Sequence, residues 1–133
     1  MKTKHYLTAE DVKKIAAAAE KHAQDNNWAV VIAVVDDGGH LLHLHRMDGV
    51  APISAEIATG KARTAALGRR ESRIYEESIK AGRVAFLSVP LTGLLEGGVP
   101  VIYEGEVIGA VGVSGVKSEQ DAETAKAGIA AVV

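Results

Sequence analysis

The sequence predicts an α+β domain built on a five-stranded antiparallel sheet with helices on both faces. Three observations carry that expectation. Apolar residues recur at helical spacing near both ends of the chain and again near its middle. Two pairs of β-branched runs are each joined by a short turn, at Asp37-Gly38-Gly39 and at Glu104-Gly105. The element order reads α-β-β-α-α-β-β-β-α, without the regular alternation that a doubly wound parallel sheet requires.

Residues 7–26 form the first helix. Thr8 is its N-cap, Glu10 and Asp11 sit in its first turn, and Val12, Ile15, Ala16, Ala19 and Ala23 make one apolar stripe. Residues 28–36 (WAVVIAVVD) are apolar on both strand faces, which places this strand in the sheet interior. Residues 40–46 return as its hairpin partner. A second helix covers residues 54–67, with Ser54 as its cap and Gly68 as its stop. Its alanines, Ala55, Ala58, Ala62 and Ala65, form a thin stripe suited to close packing, beside a stripe of Ile57, Lys61 and Thr64. A charged helix over 71–81 follows. The run at 84–89 (VAFLSV) reads as a short strand. Residues 100–103 and 106–114 form the second hairpin, and Gly112 and Ala110 on its last strand require a close neighbour. Ser118, with Asp121 three residues on, caps a final helix that runs towards Val133.

At 133 residues the chain is one domain, residues 1–133. Its 22 alanines and 14 glycines against five aromatic residues call for a core of closely approaching backbones, with sixteen valines supplying bulk. A net charge of −2 gives no broad positive field for nucleic acid or an anionic membrane. With no cysteine, disulfides, thiolate catalysis and Cys-ligated zinc or haem are excluded. The polar start MKTKHYLTAEDVKK and the lack of a long apolar run lead to the expectation of a cytoplasmic protein without a signal peptide or membrane span.

Glycine spacing in GAVGVSG (109–115) is not that of a dinucleotide fingerprint, and GVKS (115–118) lacks a P-loop's Gly-Lys-Ser/Thr. The 114–118 turn into a helix could still present amides to an anion. His43 and His45 point to one face of their strand and are metal candidates, but no third ligand stands at local spacing; solvated histidines are the plainer reading. His22 borders the buried stripe of the first helix, as a boundary residue or a ligand. Arg46 and Asp48 are either a local ion pair or, beside Lys61, part of a polar pocket. No nucleophile or acid–base constellation marks an enzyme.

The stretches RMDGV (46–50), SAEIATGKARTA (54–65), GGVPV (97–101) and VIGAVGVSG (107–115) together resemble the HbpS/GlcG-like family, also known as the haem-degrading domain family. Its members include extracellular haem-binding proteins, a protein encoded with glycolate oxidation genes, and the C-terminal domain of PduO-type adenosyltransferases. The resemblance covers about residues 8–133. It implies a profilin-like fold and homo-oligomers, dimeric or higher, with octamers in the haem-binding branch. It implies haem as the cofactor, bound through the threonine of K-A-x-T-A, here Thr64; a helix histidine, matched by His22, serves in the PduO-like branch. Lys61 beside Thr64 offers a positive partner for a haem propionate.

Two functions follow as expectations. One is a cytoplasmic haem- or tetrapyrrole-binding carrier, sensor or accessory protein. The other is an enzyme or metabolic accessory protein for a small anionic metabolite, in glycolate or diol metabolism, using Arg46, Lys61 and the 114–118 turn.

Overall fold

Thr8 starts the first helix as its residue type dictates. Its Oγ1 accepts from the Asp11 amide at 3.2 Å, while Asp11 Oδ2 accepts from the Thr8 amide at 2.9 Å. In the computed structural model, which describes residues 1–133, helix α1 runs over Ala9–Asp25. Strands β1 (Val31–Asp36) and β2 (Leu41–Arg46) form the first hairpin. Helices α2 (Ile53–Gly68) and α3 (Arg73–Lys80) follow, then strands β3 (Gly98–Tyr103) and β4 (Glu106–Ser114), and helix α4 (Ser118–Ile129).

The sheet has four strands, not five, in the order β2-β1-β4-β3, with every neighbouring pair antiparallel. The expected strand at 84–89 is a 3-10 helix over Val84–Ser88. A short apolar run cannot be assigned by periodicity alone. Here it joins neither sheet edge. Its backbone closes on itself through Phe86 N–H to Arg83 O and Val89 N–H to Phe86 O, and the Phe86 ring packs edge-on against Tyr75 at 5.3 Å. The turns at both hairpins are where glycine content placed them, with Glu104 and Gly105 both at positive φ (49° and 79°).

Strand β1 is interior, and all of Val31–Val35 are fully buried. Its two faces serve two separate apolar cores. Val30, Ile32 and Val34 meet Val12, Ile15, Ala19 and Ala23 of α1 and Ala125 and Ile129 of α4. Val31, Ala33 and Val35 meet Ala58, Ala62, Ala65 and Ala66 of α2. The α2 helix lies so close that a Cβ on Gly112 of β4 would collide with the Ala58 carbonyl, which is the close approach the small-residue strand called for. Helix α2 itself ends one residue later than expected. Gly68 stays helical and Arg69 takes the left-handed cap position (φ 56°).

Candidate functional site

Lys61 and Thr64 both stand on α2, and both are buried. Lys61 does not reach solvent. Its Nζ passes the ends of β3 and β4, donates to the Val113 carbonyl at 3.0 Å, and meets Asp121 Oδ2 of α4 at 3.0 Å. Burial raises the Asp121 carboxyl above its ordinary value, against the opposing pull of the Lys61 ammonium. The second Asp121 oxygen accepts the Val116 amide at 3.2 Å. The 114–118 turn therefore already holds an anion, supplied by the chain itself, and the Lys61 charge is spent inside the protein. Asp121 acts less as a helix cap than as the counterion of Lys61.

Thr64 Oγ1 is the only buried side-chain nitrogen or oxygen without a hydrogen-bond partner. Gly60, Thr64 and Gly68 follow at four-residue spacing and share one stripe of α2. A Cβ on Gly60 would lie 3.2 Å from the Gly93 backbone, and one on Gly68 would lie 2.5 Å from Tyr75 Oη. Thr64 sits between these two contacts, under the segment that runs from α3 to β3. Ser72 holds that segment at its root: its Oγ accepts the Gly98 amide at 2.8 Å and donates to the Leu95 carbonyl.

The remaining sequence-nominated residues lie on the opposite face of the sheet or at its end. His22 of α1 pairs with Glu123 of α4 (Nε2–Oε2, 2.7 Å), and its ring stands edge-on to Trp28 at 5.8 Å. His43 and His45 pair in register with Val34 and Ile32, so they face α1, where His45 Nε2 lies 3.3 Å from Glu20. Arg46 and Asp48 line a polar groove of about 320 Å³ with Glu20, Gln24, His45 and Met47. The close polar contact in that groove is His45 Nε2 with Glu20, and Arg46 and Asp48 do not pair with each other. No three His, Asp or Glu groups gather as a metal site. The structure thus brings Lys61 and Thr64 onto one helix and separates both from His22, His43 and His45 by the thickness of the sheet.

One cleft escaped the sequence reading. Ile79 of α3, Leu87 of the 3-10 helix and Leu91, Leu94 and Leu95 of the following loop line a space of about 480 Å³, with Glu76, Lys80 and Thr92 at its margins. Thr92 Oγ1 would lie 3.3 Å from a Cβ on Gly60, so this cleft and the Thr64 stripe are two sides of the same segment. The available signal was compositional: residues 84–95 are mostly apolar although Pro90 and Gly93 mark them as a loop, and loops over a surface are ordinarily polar.

Comparison with known proteins matches this arrangement to a family. The family model described as "Haem degrading protein HbpS-like" matches residues 7–130. Protein GlcG of Escherichia coli is 60% identical over 114 residues, spanning 86% of this chain and 85% of that protein. The crystal structure of HbpS superposes with a TM-score of 0.92 at 33% identity, covering 100% of this chain and 94% of the other. A PduOC:Heme complex superposes with a TM-score of 0.85 at 28% identity, covering 96% of each chain. With its family model matched from the start of α1 to the end of α4, this chain belongs to the HbpS-like family.

Proposed function

We propose that this chain is a cytoplasmic protein that binds haem or a related tetrapyrrole, as a homo-oligomeric carrier, sensor or accessory protein. Family membership and the likeness to a haem complex support the ligand class. The observation within this chain that carries it is the unpartnered Thr64 hydroxyl. A buried hydroxyl without a partner costs about 1–3 kcal/mol, so a ligand that used it would recover a real penalty. Bound haem would supply an iron centre, for which Thr64 Oγ1 and His22 Nε2 are the candidate ligands. They stand on opposite faces of the sheet and serve alternative sites. Threonine is the weaker ligand and suits an exchangeable haem; histidine would hold it more firmly. Lys61 is not the propionate partner that its position on the helix suggested, because Asp121 already neutralises it.

Apolar surface supports self-association. Leu41, Leu42 and Leu44 of the edge strand β2 are 50%, 44% and 41% exposed, and Ile53 and Leu67 of α2 are exposed as well. The apolar C-terminal run adds little to this surface, since Gly128 and Ile129 are buried and Val132 is half-buried against the α1–α4 core.

Thermal melting tests the ligand class. Haemin at a hundredfold excess over its Kd should stabilise the fold by about 2.7 kcal/mol, with saturation. A small carboxylate such as glycolate should leave the melting temperature unchanged. Stabilisation by glycolate and none by haemin would replace this reading with that of a small-anion protein.

A further inference from the structure

Aromatic rings and a carboxylate converge where the chain enters α1. His5, Tyr6, Asp11 and Tyr103 line a hollow of about 200 Å³ between the start of α1 and the β3–β4 hairpin. Buried Leu7 and Ile108, with Val132 beside them, give it an apolar floor. Two of the chain's five Phe, Trp and Tyr residues therefore meet at one surface site. Neither belongs to the core, since Tyr6 is 72% exposed and Tyr103 39%. The His5 ring stands at 78° to that of Tyr103 with centroids 4.7 Å apart, so the two make adjoining walls.

The charge around this hollow selects its occupant. Asp11 is the one acidic side chain on the lining, and no lysine or arginine joins it. The hollows at Lys4, Lys13, Lys80 and Arg46 each carry a basic side chain. One Asp11 oxygen accepts the Thr8 amide at 2.9 Å and the Thr8 hydroxyl at 2.8 Å, while the other takes no hydrogen bond from the chain. The bonds from Thr8 hold the carboxyl below its ordinary value, and Lys14, outside the hollow, acts in the same direction. The positive end of α1 is worth about half a charge, and Glu10 and Asp11 in the first turn outweigh it. Aromatic rings attract a cation through their quadrupole. An ammonium with N–H groups needs an acceptor for each, whereas methyl groups on nitrogen suit the apolar floor. A volume of about 200 Å³ lies below the roughly 300–1,000 Å³ of drug-sized sites, so the occupant is small.

We propose that this hollow binds a small quaternary ammonium cation, such as the trimethylammonium group of choline, between the His5, Tyr6 and Tyr103 rings and the Asp11 carboxylate. The site is separate from both candidate iron ligands. Asp11 and His22 lie roughly 16 Å apart along α1 at about 1.5 Å per residue. Thr64 stands on α2, on the other face of the sheet from Leu7 and Ile108. The proposal is therefore independent of the haem reading.

The test is titration of the intact chain with choline and, separately, with dimethylbutanol, the same shape with carbon in place of nitrogen. Proton NMR of the ligand methyl groups follows each at pH 8, where an ordinary imidazole is neutral. Choline should bind at one per chain, its methyl line moved upfield by the ring currents, and dimethylbutanol about tenfold more weakly or less. Tyr103→Leu should weaken choline about tenfold, for loss of a ring wall. His5→Lys should weaken it at least as much, by placing an ammonium in the wall, and Asp11→Asn about threefold. His5 is exposed, so circular dichroism should show His5→Lys folded even if Asp11→Asn loosens the start of α1. Sedimentation with phosphatidylcholine vesicles, abolished in His5→Lys, would support the same site with a lipid headgroup as the source of the cation; binding of free choline without it supports the free cation. Equal binding of choline and dimethylbutanol would overturn the proposal and leave a plain apolar hollow. Absence of saturable choline binding, or affinity unchanged in both Tyr103→Leu and His5→Lys, would overturn it as well.

Discussion

Lys61 Nζ lies 3.0 Å from Asp121 Oδ2, and through this contact α2 on one face of the sheet is tied to α4 on the other. Both side chains are almost fully buried. Removing one partner leaves the other charge buried and alone. Lys61→Met should therefore destabilise the fold by about 3–5 kcal/mol, and Asp121→Leu by a similar amount. The double variant should be much less destabilised than the sum of the two, because neither charge remains. Denaturant unfolding of the four proteins measures this coupling, and strict additivity would show that the two residues act separately.

The same pair has a pH signature. Asp121 has its carboxyl raised above the ordinary value of 3.8 by burial. As pH falls through the raised value, the folded state takes up a proton before the unfolded state does. Wild type should then gain stability relative to Asp121→Asn between that raised value and about 3.8, with no further change below. Asp11 behaves in the opposite sense: its hydrogen bonds with the Thr8 backbone and side chain hold it below 3.8, so its contribution is full above 3.8 and fades as pH falls through the lowered value. Unfolding of wild type, Asp121→Asn and Asp11→Asn across pH 3 to 7 resolves the two signs.

Thr64→Val replaces an unpartnered buried hydroxyl by a methyl of similar shape. The ligand-free protein should become more stable by about 1 kcal/mol or more. A loss of stability would mean that the hydroxyl has a partner, such as a bound water, and would remove it from the list of ligand groups.

The exposed leucines of β2 predict an oligomer whose mass depends on them. Light scattering should give at least a dimer, and Leu41→Lys with Leu44→Lys should lower the measured mass without altering the circular dichroism. A monomeric wild type at micromolar concentration would contradict the assembly.

Local chemistry made much of this fold readable. The Thr8–Asp11 cap, both hairpin turns, the interior place of β1 and the crossing at Gly112 each follow from residue type and spacing within a short window. What stayed hidden depends on partners distant in sequence. Residues 84–89 are strand-like in composition, but no sheet edge receives them. Lys61 reads as a surface cation until Asp121, sixty residues on, is seen beside it. Thr64 became a candidate only through family resemblance, and its missing hydrogen-bond partner is a property of the packing around α2. The cleft at 79–95 draws on a helix, a 3-10 helix and a loop, and no spacing rule joins their leucines.

The central claim is that this chain binds a tetrapyrrole, and the Soret band tests it most directly. Haemin added to the wild-type protein should give a shifted Soret band that saturates at one equivalent per chain. A Soret region that tracks free haemin in buffer at every ratio, with no saturation, would contradict the account.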